Sequence, residues 1–129
     1  MAGKKAIVTG GARLCNGMAQ ALHDARAEVV LLDILDMVGD SAGRWQKRSH
    51  GTCGKGDLTK TEELENIYNE CLEKLGGRVD ILLNGAGIQL GLRLLIFPMT
   101  AGRKLLPLIE CGILYVAAGR QNNAGAKIW

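Results

Sequence analysis

The apolar residues of this chain fall into short continuous runs separated by longer stretches of mixed polarity. Three such segments, residues 5–8, 27–33 and 79–84, each contain at least three consecutive apolar residues and end at, or shortly before, a glycine or an acidic residue. Such runs are typical of buried strands that end in turns. A fourth strand is predicted between His50 and Gly56, where three glycines leave only Thr52-Cys53 as a β-prone core.

Between the strands the apolar residues recur at helical spacing. The first stripe is three turns long and consists of Leu14, Met18, Ala21, Leu22 and Ala25. A clearer amphipathic helix contains Leu64, Ile67, Tyr68, Cys71, Leu72 and Leu75. Thr59 and Glu62 predict a capping box at its start, and Gly76-Gly77 predicts a left-handed stop at its end.

The remaining segments carry weaker patterns. Residues 34–48 predict a second helix interrupted by Gly39 and Gly43, and Thr100–Arg120 predicts a long helix broken at Pro107. Residues 127–129 could begin a fifth strand. Strands that alternate with helices predict a doubly wound, Rossmann-like α/β fold, with a parallel sheet of about four to five strands in three layers. At 129 residues the chain is expected to form one domain, 1–129.

Charge and cysteine content exclude several classes of function. The chain has 16 Lys and Arg and 13 Asp and Glu. This excess of positive charge is too small and too scattered to indicate a nucleic-acid-binding surface. The longest uncharged stretch, Ile81 to Leu92, has 12 residues and falls short of the roughly 20 that span a membrane. No secretory signal can be built at the start, so a cytoplasmic location is expected. Four separated cysteines and two histidines form no pair with metal-ligand spacing, and no metal site is predicted.

Two features could bind a dinucleotide. Thr9-Gly10-Gly11 follows the first strand, as a phosphate-binding turn would, although a plain strand-to-helix turn explains it equally well. Asp33 closes the second strand 23 residues after Gly10, close to the roughly 20 expected of a ribose-binding acid. A carboxylate there would favour NAD over NADP, whereas Arg13 could meet a 2′-phosphate. The alternative is that Asp33 is simply an exposed residue at a strand end.

Four motifs in order resemble those of the short-chain dehydrogenase/reductase family. They are Thr9-Gly10-Gly11-Ala12-Arg13, Asp33, Asp57-Leu58-Thr59 and Asn84-Gly85-Ala86-Gly87. Residues 57–88 and Phe97-Pro98-Met99 look most like the bacterial branch that acts on gluconate, deoxygluconate and similar polyols or sugar acids. The resemblance covers the nucleotide-binding half of the family.

The resemblance implies a role for each matching residue. Gly10 and the amides near Arg13 and Leu14 would line the pyrophosphate, and Asp33 would bind the adenosine ribose. Asp57 would accept from the adenine amino group, and Leu58 would offer a backbone contact beside it. Asn84, Ala86 and Gly87 would pass beneath the cofactor, with Asn84 equally suited to holding its strand in place.

The chain also departs from the family's pattern. The family's glycine loop reads T-G-x-x-x-G-x-G, but here one residue is missing between Arg13 and Leu14, and Cys15 stands where the last glycine belongs. Ile109 replaces the catalytic Asn, and neither Tyr68 nor Tyr115 has the Lys of the family's Y-x-x-x-K. The family's Ser, Tyr and Lys would lie beyond Trp129, so no catalytic residue is assigned.

These departures predict a nucleotide-binding unit that is inactive alone and incomplete relative to the family. The alternative is a non-enzymatic, truncated module that acts only through protein association. Four apolar residues that are expected to be exposed, Leu92, Leu94, Leu95 and Ile96, favour self-association into a homo-oligomer.

Overall fold

The computed structural model describes residues 1–11, 14–35 and 52–87, together with Leu106. The interrupted helix predicted over residues 34–48, apart from its first two residues, lies outside this part of the chain. The same holds for the strand predicted at residues 127–129 and for the apolar group from Leu92 to Ile96. Leu106, within the predicted Thr100–Arg120 helix, is helical.

The described elements follow one another in the predicted order. They are β1 (Lys5–Thr9), α1 (Leu14–Asp24), β2 (Glu28–Asp33), β3 (Thr52–Lys55), a 3₁₀ turn (Thr61–Glu63), α2 (Leu64–Lys74) and β4 (Ile81–Leu83). The four strands are parallel and lie in the order β3-β2-β1-β4. This arrangement confirms the doubly wound parallel sheet.

Strand periodicity divides the core into two clusters, one on each face of the sheet. Ile7, Val30 and Leu32 pack beneath α2 with its buried residues Leu64, Ile67, Tyr68 and Cys71. Ala6, Val8, Val29 and Leu31 pack with Cys15 and Ala19 of α1. Successive side chains of a strand point to opposite faces, so a continuous apolar run fills both clusters. The result is the predicted three-layer arrangement.

The buried face of α1 differs from the predicted stripe. Cys15 and Ala19 are buried and Leu22 packs against them, whereas Met18 is 47% exposed and Ala21 and Ala25 are exposed. The contact face therefore follows positions 15, 19 and 22, one residue out of phase with part of the stripe. Alanines and a methionine at helical spacing predict a core face, but a close helix-to-sheet contact accepts small side chains such as Cys15 and Ala19.

The predicted capping box at the start of α2 is wrong. The Thr59 hydroxyl donates to Asp57 Oδ1 at 2.7 Å, and neither Lys60 nor Glu63, the residues that precede the 3₁₀ turn and α2, makes a side-chain cap. The turn begins at Thr61, so Lys60 rather than Thr59 holds the capping position, and Thr59 bonds locally to Asp57 instead.

The glycine stop at the other end of α2 is confirmed. Gly76 and Gly77 have φ of 64° and 85°. Their N–H groups donate to the carbonyls of Glu73 at 2.9 Å and Leu72 at 2.8 Å, which is the Schellman arrangement.

At the amino-terminal ends of the strands, one carboxylate links β1 to the segment before β4. Asp80 Oδ2 accepts the backbone N–H of Lys5 at 2.9 Å and Arg78 Nε at 3.2 Å. Burial of the carboxyl opposes its ionisation, but the Lys5 hydrogen bond and the charges of Arg78 and Lys4 outweigh burial and lower the pKa of Asp80. β4 is thereby held beside β1. Within the described ranges no helix is long and apolar enough to cross a bilayer.

Candidate functional site

The carboxyl ends of all four strands meet at one edge of the sheet, because the strands are parallel. β1 ends at Thr9 beside Leu32 of β2, so the turn that follows Thr9 lies next to Asp33. On the other side of β1, the segment after β4 approaches the same turn. Three of the four sequence motifs therefore converge on the ends of β1, β2 and β4.

The glycine turn after β1 is fixed by β2. The N–H groups of Gly10 and Gly11 donate to the carbonyl of Leu32 at 2.9 and 3.3 Å. Gly10 has φ of 70°, a conformation that L side chains rarely adopt. A Cβ at Gly10 would also lie 2.6 Å from the carbonyl carbon of Gly85 and 2.7 Å from Ala86 N. Both conformation and space require glycine here.

The hydroxyl of Thr9 joins the turn to the segment after β4. Thr9 is 1% exposed, and its Oγ1 accepts the N–H groups of Gly85 at 3.1 Å and Ala86 at 3.2 Å. It also lies 3.5 Å from the Leu83 carbonyl, to which it donates. The sequence motif includes Thr9 but predicts no role for its hydroxyl. The available signal was a polar residue at the end of a strand whose other interior residues are apolar.

Asp33 lies half-buried at the end of β2. Its Oδ1 accepts the N–H of Leu35 at 3.1 Å, which turns the chain away from the strand. Its carbonyl accepts the N–H of Gly56 at 3.0 Å, so the segment after β3 is attached to the same point. Asp33 therefore lies between the strand that leads to the glycine turn and the segment that carries Asp57.

Asp57 and Leu58 have different surroundings. The Thr59 hydroxyl, then the Thr59 N–H at 3.0 Å, donate to Asp57 Oδ1 and lower the pKa of the Asp57 carboxyl below its ordinary 3.8. The side chain of Leu58 is 5% exposed and belongs to the α2 cluster. Because its side chain is buried, Leu58 can offer a ligand its backbone only.

The segment after β4 is the most open part of the edge. Asn84 and Gly87 are exposed, and Ala86 is half-buried against the α2 cluster. Between them, Gly85 contacts α1, since a Cβ at Gly85 would overlap Cys15 Sγ. Burial and, to a smaller extent, the charge of Asp33 raise the pKa of the Cys15 thiol above 9.0, so the thiol is neutral at pH 7.

The structure thus places seven of the nine predicted binding residues along one edge: Gly10, Asp33, Asp57, Leu58, Asn84, Ala86 and Gly87. Leu14 is the first residue of α1, and Arg13 lies outside the described residues. Among the residues that the structure describes, no group of three His, Cys, Asp or Glu could hold a metal ion.

Strand order and edge together define the class of protein: a doubly wound α/β domain, in which ligands bind at the carboxyl ends of the strands. The chain belongs to the short-chain dehydrogenase family, whose model matches residues 4–101. This confirms the family resemblance of the four motifs.

Two curated relatives share this part of the family. (+)-Borneol dehydrogenase 1 of Salvia officinalis is 38% identical over 103 residues, which are 78% of this chain and 38% of that protein. Short-chain dehydrogenase reductase 3a of Arabidopsis thaliana is 32% identical over 67% of this chain and 34% of its own length. The chain therefore spans little more than a third of either relative.

A solved structure shows the same fold. The crystal structure of a blue fluorescent protein from a metagenomic library, in complex with NADPH, matches with a TM-score of 0.76 at 19% identity. The match covers 93% of this chain and 51% of the other.

Proposed function

We propose that this chain binds a nicotinamide dinucleotide along the carboxyl edge of its sheet, and that it prefers NAD to NADP. The observation that carries the proposal is the attachment of the Gly10 turn to Leu32, which brings the turn beside Asp33. A phosphate-binding turn and a ribose-binding acid must be neighbours to hold one dinucleotide. Family membership and a structural neighbour that was solved with NADPH support the same class of cofactor.

The phosphate end of the site would be formed by the Gly10 turn and α1. α1 begins at Leu14, immediately after the turn, and the positive end of a helix dipole favours a pyrophosphate there. Gly10 allows the backbone to turn sharply at this point without a side chain in the way. The missing residue in this loop is expected to weaken phosphate binding rather than to prevent it.

The ribose end would be formed by Asp33. A carboxylate accepts hydrogen bonds from the two hydroxyls of an adenosine ribose and repels the 2′-phosphate of NADP. Asp33 is half-buried at the edge, so a ligand can reach it. Its backbone pairs with Lys55 of β3, and the preceding residue, Leu32, pairs with Thr9 of β1. This gives the preference for NAD its physical basis, with Arg13 as the one residue that could oppose it.

The remaining residues would line the two ends of the cofactor. Asp57, ionised and held in position by Thr59, would accept from the adenine amino group. Asn84, Ala86 and Gly87 would lie under the nicotinamide half, where small or exposed side chains leave room.

We propose that the enzyme type to which this nucleotide-binding unit corresponds transfers hydride to or from a secondary alcohol or ketone of a sugar acid or polyol. The support is the likeness of residues 57–88 and 97–99 to that branch. The 129-residue chain contains no Y-x-x-x-K, the pair that moves the proton in this family. Cofactor binding, rather than turnover, is therefore the activity to measure in it.

Calorimetric titration of the chain with NAD and with NADP tests the proposal. We expect tighter binding of NAD, and Asp33→Asn should weaken it by roughly 10-fold or more, because hydrogen bonds to a charged group contribute about 1.5–3 kcal/mol. Asp33→Asn should leave NADP affinity unchanged or increase it.

Asp24→Asn is the matched control, because Asp24 is an exposed carboxylate at the far end of α1 that accepts from Gln20 at 2.8 Å. It should bind both cofactors as the unmodified chain does. Failure of millimolar NAD and NADP either to bind or to raise the melting temperature would refute the proposal. Equal NAD affinity in the unmodified chain and in Asp33→Asn would refute the role of Asp33.

A further inference from the structure

Cys15 and Gly85 occupy positions where steric requirements are unusually strict. Cys15 is the second residue of α1 and is 4% exposed. A Cβ at Gly85 would overlap Cys15 Sγ, and it would lie 3.2 Å from Cys15 Cβ and 2.8 Å from the Thr9 carbonyl oxygen. The side chain of residue 15 therefore fills the space that a side chain at residue 85 would need.

Backbone conformation does not explain the glycine. Gly85 is absent from the glycines with positive φ, unlike Gly10 in the facing turn. The φ of residue 85 is therefore not one that requires glycine, and a side chain there is excluded by its neighbours. Space, rather than flexibility, is what residue 85 provides.

In a dinucleotide-binding turn, a glycine on the helix normally permits the close packing of helix and strand. This chain has the bulk on the helix, at Cys15, and the glycine on the opposite segment, at Gly85. We infer that the two residues form a volume pair that sets the distance between the start of α1 and the segment after β4. The pair thereby positions the start of α1 for the cofactor's phosphates.

The inference rests on the proposed dinucleotide site and concerns residues that would not touch the ligand themselves. Gly85 N donates to Thr9 Oγ1 at 3.1 Å, and its carbonyl lies against Gly10. A displacement of residue 85 would consequently reach the glycine turn through Gly10 as well as α1 through Cys15. Cys15 and Gly85 are positioning residues in this scheme.

A double-mutant cycle tests the pair, with ADP-ribose as the probe and calorimetry as the readout. Gly85→Ala should weaken ADP-ribose binding at least about 10-fold when residue 15 is Cys. The same change combined with Cys15→Gly should cost at least about fivefold less, because contacting residues are energetically coupled. Recovery should be partial, since the contact with the Thr9 carbonyl oxygen persists.

A second set of variants decides the matter if Gly85→Ala does not fold. Cys15→Ala empties the contact and should weaken ADP-ribose binding about threefold, whereas Cys15→Ser, of nearly the same volume, should restore most of the affinity. Cys71→Ala is the matched control. Cys71 is a buried cysteine of α2 on the other face of the sheet, and a Cβ at Gly54 would lie 3.9 Å from its Sγ, an ordinary contact. It should lower the melting temperature without changing the affinity.

The outcomes separate the two proposals. No ADP-ribose binding by the unmodified chain would refute the proposed function and the role of the pair with it. Binding by the unmodified chain, with equal losses from Gly85→Ala in both backgrounds, would refute the pair alone. Equal affinity changes in Cys15→Ala and Cys71→Ala, at matched losses of stability, would do the same.

Discussion

Replacing Thr9 by Val isolates the hydrogen bonds that join β1 to the segment after β4. The two side chains have nearly the same shape, so packing is preserved while the hydroxyl is lost. In the unmodified chain Oγ1 accepts the N–H groups of Gly85 at 3.1 Å and Ala86 at 3.2 Å. In Thr9→Val both N–H donors face a methyl group instead. Residue 9 itself is only 1% exposed.

The expected loss follows from the cost of unpaired donors. A buried donor without a partner costs about 1–3 kcal/mol. Gly85 is exposed, so water can satisfy part of the demand, and the sum for the two donors should be about 2 kcal/mol. Valine has a higher strand propensity than threonine, and this opposes the loss of stability, so a measured loss of this size can be assigned to the hydroxyl.

Urea unfolding followed by circular dichroism measures the effect. With a slope of about 2 kcal/mol per M for a chain of this size, the midpoint should fall by about 1 M. Thr9→Ser is the control, since it keeps the acceptor and removes one methyl group at a cost of about 1 kcal/mol. If Thr9→Val is as stable as Thr9→Ser or more so, the hydroxyl does not hold the two segments together and our account of the site is wrong.

Two further predictions concern the glycine turn and the acid after β3. Gly10→Ala should destabilise the chain by about 2 kcal/mol or more, because Gly10 has φ of 70° and a Cβ there would overlap Gly85. The control is Gly17→Ala within α1, where a Cβ meets nothing within 4 Å; it should stabilise the chain by up to about 1 kcal/mol. Equal effects of the two changes in thermal unfolding would contradict this prediction. Asp57→Asn should lower the free energy of unfolding at pH 7. The pKa of Asp57 is below 3.8 in the folded chain. The carboxylate's contribution to stability is therefore complete above about pH 4 and is lost as the pH falls through the pKa of the folded state. The difference between variant and unmodified chain should therefore shrink in acid, and a difference that stays constant from pH 7 to about pH 2.5 would refute the assignment.

The strands could be predicted from sequence because their signal is local. The apolar runs that became β1 and β2 differ from their observed bounds by one residue, and the glycine-diluted run around Thr52 still forms β3. A parallel strand buried on both faces needs only a short continuous apolar segment, and nothing elsewhere in the chain must be known to recognise it. The left-handed stop at Gly76-Gly77 is local in the same sense.

The helix faces and caps were harder because competing choices lie close together in sequence. In α1, Met18 and Ala19 are adjacent and both apolar, and only contact with the sheet decides that Ala19 is buried. At the start of α2, the helical turn begins at Thr61, one residue later than a cap at Thr59 requires, and Thr59 donates to Asp57. Such choices are decided by geometry that differs by a single residue or rotamer.

The predicted site residues came together because the topology requires it, whereas the contacts between them did not follow from the motifs. Parallel strands place Gly10, Asp33 and Asn84 on one edge, whichever side chains surround them. The contact of Cys15 with Gly85 joins residues 70 positions apart, and each departs from expectation alone: a cysteine in a glycine's place, and a glycine with no conformational need to be one. Only their contact makes the two departures compensate, so a loop that looks defective in the sequence can still hold its helix at the crevice.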